Sequence, residues 1–252
     1  MRVAALYRYP VKGLSPEPLE RVMLKAGEFF PGDRLYAIEN GPSGYDPAAP
    51  VHQPKIKFLM LARNARLAGF AARYDDATTA LTIEQNGIEV VAGELATEEG
   101  RAAIQRFVEG VCAGEMRGPA RVLSAADGFR FTDSRSGFVS LINLASVRAI
   151  AHSLGRSLDP LRFRANVYLT GLRAWEEFSL VGKKLRAGSL VLETIKPIDR
   201  CFAIDVMPGI GERDTHLLPL MERTFGHHDC GVYARIAAAG ALRVADELRI
   251  DS

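Results

Sequence analysis

Cys201 is the residue whose type and setting most clearly allow chemistry. It ends the segment 196–201, which follows an apolar run at 190–192 and places Arg200 and Lys196 close to the thiol. Nearby positive charge stabilises a thiolate, and a thiolate is both a nucleophile and a ligand for soft metals. Most cysteines are instead buried packing residues. The local sequence therefore leaves a metal ligand, a nucleophile and an inert core cysteine open.

Two neighbouring arginines suggest a site for an anion. Arg162 and Arg164 alternate with Phe163 and Ala165, and alternate side chains of an extended chain point the same way. Guanidinium groups bind phosphate through paired hydrogen bonds. The segment therefore predicts either an anion clamp or the charged edge of an exposed strand.

The run 227–230 (HHDC) raises the possibility of a metal site. His228 and Cys230 would share one face of a strand, but a tetrahedral site needs further ligands that this spacing lacks. We therefore expect Cys230 to be a packing residue. No nucleotide-binding glycine loop, zinc-protease helix or serine-hydrolase elbow occurs in the sequence. Three aspartates near Cys201 show no spacing typical of an acid–base pair: Asp199, Asp205 and Asp214.

The composition is that of an ordinary folded protein. The chain has 252 residues, 48% hydrophobic and 25% charged, enough for one large core or two smaller ones. A net charge of +2 excludes a protein that coats DNA or RNA non-specifically. The three cysteines lie far apart, so no disulfide framework is expected. No signal-peptide pattern or membrane-spanning run occurs. We therefore expect a cytoplasmic protein with no membrane and no nucleic-acid partner.

Short strands separated by glycine-containing turns must position these residues. Residues 3–9 and 34–38 are strand-like, and Asn86-Gly87 fits a type I′ hairpin turn between two alternating strands. Residues 41–54 are rich in glycine, proline and alanine and predict a long loop. Four further strands are predicted at residues 165–170, 184–195, 201–206 and 231–236.

Three helices are expected around these strands. They span residues 97–112, 143–154 and 216–225. Thr97 and Thr215 are the predicted N-caps of the first and third, and Gly155 is the predicted left-handed C-cap of the second. Few helices among many short strands favour an α+β, predominantly β fold of the β-barrel class. A domain boundary is predicted near residues 118–132.

Several motifs follow one another in an order that is shared with a known family. Residues 6–13 (LYRYPVKG) are similar to a Y-P-V-K-S opening, and residues 32–36 (GDRLY) to a G-D-R-x-W/Y signature. Residues 162–166 (RFRAN) are similar to R-F-R-x-N, and residues 200–214 to an R-C…G-x-x-D stretch. A T-x-R-Q-x-P segment is represented only by residues 51–54 (VHQP). Together the motifs resemble MOSC domains (molybdenum cofactor sulfurase C-terminal) and the N-terminal β-barrel domain attached to them.

The resemblance implies both an architecture and a cofactor. An N-terminal MOSC β-barrel domain with an inserted helix would cover residues 1–120, and a MOSC β-barrel domain with a few peripheral helices residues 121–252. The cofactor would be molybdopterin, with Cys201 as the catalytic residue and as the thiolate ligand of molybdenum. The positions that match the family's cofactor-binding segments are Lys12, Arg34, Arg164, Asn166 and Arg200.

The resemblance also implies an activity. Proteins of this architecture include the mitochondrial amidoxime reducing component and bacterial relatives, so the implied function is molybdenum-dependent reduction of hydroxylamines and amidoximes. The expected partners are a small-molecule substrate and a separate electron-donor protein, either a reductase or a ferredoxin-like protein. The alternative is a carrier, in which Cys201 holds a persulfide or the molybdenum cofactor for delivery without turnover of its own. A third possibility is a MOSC-fold protein that has lost the cofactor.

Overall fold

Strands dominate the part of the chain that the computed structural model describes, residues 1–134 and 139–251. In chain order the strands are β1 (Arg2–Arg8), β2 (Glu17–Leu19), β3 (Arg21–Leu24), β4 (Tyr36–Asn40), β5 (Ala71–Tyr74), β6 (Ala80–Gln85), β7 (Ile88–Glu94), β8 (Ala120–Ser124), β9 (Val139–Asn143), β10 (Val167–Thr170), β11 (Lys184–Ala187), β12 (Leu190–Asp199), β13 (Asp229–Ala238), β14 (Gly240–Arg243) and β15 (Arg249–Ile250). The helices are α1 (Glu98–Val111), α2 (Leu144–Leu154) and α3 (Leu217–Phe225). This content confirms the predicted α+β, predominantly β class.

The largest sheet places Cys201 at the end of a long strand. Its eight strands follow the order β15-β11-β12-β13-β9-β10-β1-β2, and all pairs are antiparallel except β9–β10. Leu190 and Leu192 of β12 are fully buried in a core that they share with Val3 and Leu6 of β1. Because β12 ends at Asp199, the chain delivers Arg200 and Cys201 directly to the end of this sheet.

A second core lies among the smaller sheets. Strands β5, β6 and β7 form one of these sheets, β4 and β8 form another, and α1 packs against β7 and β8. Leu59, Ile83 and Ile104 are fully buried in this core, and Val206, from far along the chain, packs into it. The predicted hairpin turn is confirmed, with positive φ at Asn86 (53°) and Gly87 (78°).

The predicted helices are confirmed, with small shifts at their ends. The Thr97 side chain caps α1 by accepting from the Gly100 amide at 3.0 Å, and Gly155 ends α2 with φ of 78°. The predicted Thr215 cap is wrong. Asp205 Oδ1, on a preceding turn, accepts from the Leu217 amide at 2.7 Å and takes that role. None of the helices in the described ranges is long and apolar enough to cross a membrane.

Two predictions of extended chain near the site are also wrong. Pro160–Phe163 forms a 3-10 turn, started by Asp159, whose side chain accepts from the Leu161 amide at 2.8 Å. Phe202–Asp205 forms a second 3-10 turn directly after Cys201. At the first turn the Asp159 side chain engages a backbone amide, so the alternation of an extended strand is lost. Within the described chain, the second turn has no side-chain cap.

Candidate functional site

A cleft of about 540 Å³ opens where the end of β12 meets loops from both halves of the chain. All six residues that the sequence predicted for the site line this cleft: Lys12, Arg34, Arg164, Asn166, Arg200 and Cys201. Among the described residues, its wall carries more cations (Lys12, Arg34, Lys55, Arg162, Arg164, Lys196 and Arg200) than carboxylates (Asp33, Asp133, Asp199 and Asp229). The excess of positive charge suits an anionic ligand.

Cys201 presents a free, partly exposed thiol to this cleft. It precedes the 3-10 turn, and its carbonyl accepts from the Ile204 amide at 3.1 Å. The other two cysteines are fully buried, and burial raises the pKa of Cys112 to about 11 and that of Cys230 to about 12. Cys230 is therefore a packing residue, as predicted. Cys201 is the cysteine with the access that ligand chemistry requires.

Lys55 lies beside Cys201 and was not among the predicted site residues. Partial burial opposes its charge, yet the pKa of Lys55 is raised because the Cys201 thiol and the Asp133 carboxylate both lie close to its ammonium group. Lys55 directly follows the VHQP segment at 51–54. Its position after this segment was the only sequence feature that pointed to Lys55. Its contact with Cys201 forms only when the two distant segments meet in the folded protein.

Lys12 is held by an ion pair at the base of the cleft. Its ammonium group donates to the Phe131 carbonyl at 3.0 Å and to Asp133 Oδ1. The surrounding cleft walls desolvate Asp133 and oppose its charge, although half of its side chain is exposed. Lys12, with Lys55 and Arg34 nearby, nevertheless lowers the pKa of this carboxyl to about 2. Asp133 is therefore ionised throughout the neutral range.

Arg34 and Arg164 both lie over the ring of the fully buried Tyr9. Their guanidinium carbons lie 4.3 and 4.4 Å from the ring centroid, within the range of cation–π contacts. Both arginines have left-handed backbone angles, with φ of 48° and 50°, which non-glycine residues seldom adopt. Strain of this kind occurs often at functional sites.

The two arginines differ in their counter-charges. Arg34 pairs with Asp33 and donates to the Arg164 carbonyl at 3.3 Å. No carboxylate of the described chain lies within salt-bridge distance of Arg164. Burial lowers the pKa of Arg164, and the neighbouring Arg34 charge lowers it further. An anion in the cleft would relieve this repulsion.

Arg200 and Asn166 line the cleft but use most of their polar atoms to hold the backbone. Arg200 donates to the carbonyls of Phe163 (2.8 Å) and Cys230 (2.8 Å). Asn166 Oδ1 accepts from the Ser140 hydroxyl at 2.9 Å, and its Nδ2 donates to the Tyr7 carbonyl at 3.2 Å. Both side chains therefore fix the segments that carry Arg164 and Cys201.

The predicted pair of arginines does not act as one clamp. Arg162 is buried in the 3-10 turn, where its guanidinium forms an ion pair with Asp214 at 2.7 Å and donates to the Ile204 carbonyl at 3.3 Å. Its charge is therefore neutralised inside the protein, whereas that of Arg164 is not. The difference arises because the turn directs the two side chains to different partners.

The HHDC run does not form a metal site in the described structure. No group of three or more His, Cys, Asp or Glu side chains that could hold a metal is assembled within residues 1–134 and 139–251. His228 instead lies 3.1 Å from Glu222, and His227 packs against the rings of Trp175 and Phe225.

Comparison with known structures gives remote matches. The YUAD protein from Bacillus subtilis is 12% identical, with a TM-score of 0.45 over 98% of this chain and 93% of that one. YiiM from Geobacillus stearothermophilus is 19% identical, with a TM-score of 0.36 over 45% of this chain and 54% of that one. No curated protein matches the chain.

Family models match nearly the whole chain. The MOSC N-terminal beta barrel domain matches residues 1–120, and the MOSC domain matches residues 129–249. MOSC domains are associated with molybdenum cofactor sulfurase-like and cofactor-binding proteins. The chain therefore belongs to the MOSC family, with a MOSC N-terminal beta barrel domain followed by a MOSC domain.

Proposed function

We propose that the protein is a molybdenum-cofactor-dependent oxidoreductase that reduces N-hydroxylated compounds such as hydroxylamines and amidoximes. One observation carries the proposal: the accessible thiol of Cys201 shares a cleft with an excess of cations and lies beside Lys55. A soft ligand for the metal and positive charge for a phosphate are the two groups that a molybdopterin cofactor needs from a protein.

The residues present fit this cofactor. The cleft volume of about 540 Å³ lies within the range of small-molecule sites, about 300–1,000 Å³. Arg164 has no carboxylate partner within the described residues and lies next to Arg34, so the wall offers an unneutralised charge to a phosphate group. We assign phosphate binding to Arg164, Arg34 and Lys12.

Other cleft residues act by positioning. Arg200 ties the backbone before Cys201 to the Phe163 and Cys230 carbonyls, which keeps the thiol directed at the cleft. Asn166 holds the strand that follows Arg164. Lys55 Nζ carries its positive charge beside the Cys201 sulfur.

The reaction needs protons as well as electrons. Reduction of an N–OH group takes two electrons and two protons, breaks the N–O bond and releases water together with the N–H compound. When bound, the cofactor supplies the two-electron oxygen-transfer chemistry. Both protons come from water in the open cleft, and a separate electron-donor protein, a reductase or a ferredoxin-like protein, restores the electrons.

The proposal is tested by assaying cofactor-loaded protein with a hydroxylamine or an amidoxime and a reduced viologen dye. We expect turnover by the wild type and by Cys112→Ala, a matched cysteine variant outside the cleft, and none by Cys201→Ala. Loaded wild-type protein without turnover would contradict the proposal.

The accessible thiol also fits the alternative role of a carrier. A partly exposed sulfur beside a cation suits a persulfide for delivery to another enzyme. Mass spectrometry of protein purified without reductant separates the two functions. A sulfane adduct on Cys201 together with failure in the viologen assay would support the carrier.

A further inference from the structure

Asp133 places a negative charge within the cationic wall of the cleft. Its carboxylate forms an ion pair with Lys12 and interacts electrostatically with the charges of Lys55 and Arg34. Asp199 and Asp229 line the same cleft, but neither forms an ion pair in the described structure. Asp33 pairs with Arg34 in the same cleft, but its side chain is buried. Asp133 is thus the exposed carboxylate that is paired with a cation assigned to phosphate.

The carboxylate covers the cation that it neutralises. The Lys12 side chain is only 9% exposed, whereas 50% of the Asp133 side chain is exposed. The remaining Lys12 contact, with the Phe131 carbonyl, is internal to the protein. An anion that enters the cleft therefore meets Asp133 before it can reach Lys12.

This arrangement contrasts with that of Arg164 in the same cleft. Arg164 has no carboxylate partner among the described residues, so an anion can approach it without displacing an internal group. At Lys12 an anion must either displace Asp133 or bind against its charge. The anion and the Asp133 carboxylate are both negative, and in a partly buried cleft they repel each other strongly.

We propose that Asp133 is an internal competitor for phosphate in the cleft, a carboxylate that occupies Lys12 in the free protein and sets the affinity for phosphate-bearing ligands. The inference rests on the proposed function, since it concerns the same cofactor-phosphate wall. It adds a specificity element. A ligand must bring enough negative charge, or enough contacts elsewhere, to replace the carboxylate, so weakly charged anions are excluded.

A merely structural role for Asp133 predicts the opposite result. If the carboxylate only held Lys12 in position for phosphate, its removal would release the ammonium group and weaken anion binding. If it competes with phosphate, its removal strengthens binding. The sign of the change therefore distinguishes the two roles.

The experiment measures inorganic phosphate and pyrophosphate binding to the cofactor-free full chain by isothermal titration calorimetry at low salt. We expect Asp133→Asn to bind both probes about tenfold more tightly than the wild type, a change of about 1.4 kcal/mol. Asp199→Asn is the matched control, because it removes the same charge from the same cleft without uncovering Lys12. Its affinity should change by less than about threefold, since an exposed unpaired charge is screened.

The outcomes separate this inference from the proposed function. Equal or weaker phosphate binding by Asp133→Asn, an equal gain in Asp199→Asn, or no phosphate binding by any variant would overturn the role of Asp133. Molybdenum retention through Cys201 would be untouched by these results and is measured separately. Circular dichroism checks folding, and Asp133→Ser carries the same prediction if the Asn variant does not fold.

Discussion

At the scale of single residues, the site combines one soft ligand with charges that the fold leaves incompletely balanced. Cys201 is accessible, whereas Cys112 and Cys230 are buried. Within the described residues, Arg164 lacks the carboxylate partner that Arg162 has in Asp214. These differences arise from local backbone turns. As a result, the Cys201 thiol and the Arg164 guanidinium are available to a ligand.

Arg164→Ala should weaken phosphate binding by about tenfold at low salt, because it removes a charge-assisted contact in a partly buried site. Calorimetry with pyrophosphate over a series of salt concentrations measures the effect. The difference from the wild type should shrink as salt rises, since the lost contact is electrostatic.

The matched variant for this position is Arg164→Lys. It keeps the charge without the planar fork and should recover part of the affinity. Equal pyrophosphate affinity in the wild type and in Arg164→Ala would place the phosphate elsewhere in the cleft.

Sequence motifs could predict which residues would meet at the cleft but not how each would be used. The six predicted residues could be named together because motifs of one family occur in segments that are far apart in the chain, and all six line the cleft. Lys55 and Asp133 were not predicted. The contact of Lys55 with Cys201 and that of Asp133 with Lys12 form only on folding. The spacing of Arg162 and Arg164 predicted two side chains that point the same way, because it does not reveal the turn that Asp159 starts.

At the scale of elements, β13 must come very close to its neighbour to support the segment before Cys201. Gly231 has φ of +82°, and a Cβ there would lie 2.3 Å from the Leu141 carbonyl oxygen and 3.2 Å from Arg200 Nη2. The Gly231 amide also faces the buried Glu177 carboxylate at 3.4 Å. Glycine is required here both by backbone angle and by space.

Gly231→Ala should lower the free energy of unfolding by about 3 kcal/mol or more, because left-handed strain and overlap with the backbone add together. Gly226→Ala is the control, since Gly226 has φ of +76° with nothing within 4 Å of the added Cβ. It should cost only about 1 kcal/mol. Urea unfolding of both variants measures the difference, and similar losses would contradict the close approach.

Elements with strong local signals were predictable, whereas those set by distant partners were not. The Asn86-Gly87 turn and the Gly155 cap depend on residue types that favour positive φ, and both were predicted. The start of α3 depends on Asp205, which lies well before the helix, so the local sequence pointed to Thr215. The 3-10 turn after Cys201 was missed because its apolar residues look like those of a strand.

At the scale of the whole molecule, the two halves of the chain interleave. β1, from the first residues, pairs with β10 in the main sheet, and β3 pairs with β14. Val206 packs into the core of the smaller sheets, and Arg213 donates to the Ala62 carbonyl at 2.7 Å. The division into domains at 1–120 and 121–252 remains a prediction. The cleft depends on both segments.

Because the halves share a sheet and a core, we expect the full chain to unfold in a single cooperative transition. A fragment of residues 121–252 should show no cooperative unfolding, since removal of β1 leaves the edge of β10 unpaired and opens the core around Leu6. Scanning calorimetry tests both statements. Two separate transitions in the full chain, or a cooperative fragment, would contradict this account.

The most direct test of the central claim is the molybdenum content per chain, measured by elemental analysis on protein from a host that makes the molybdenum cofactor. We expect a ratio near one for the wild type, and a ratio near zero for Cys201→Ala that remains folded by circular dichroism. Full molybdenum content in Cys201→Ala would contradict the assignment of the ligand. A wild type without molybdenum would contradict the cofactor-dependent function itself.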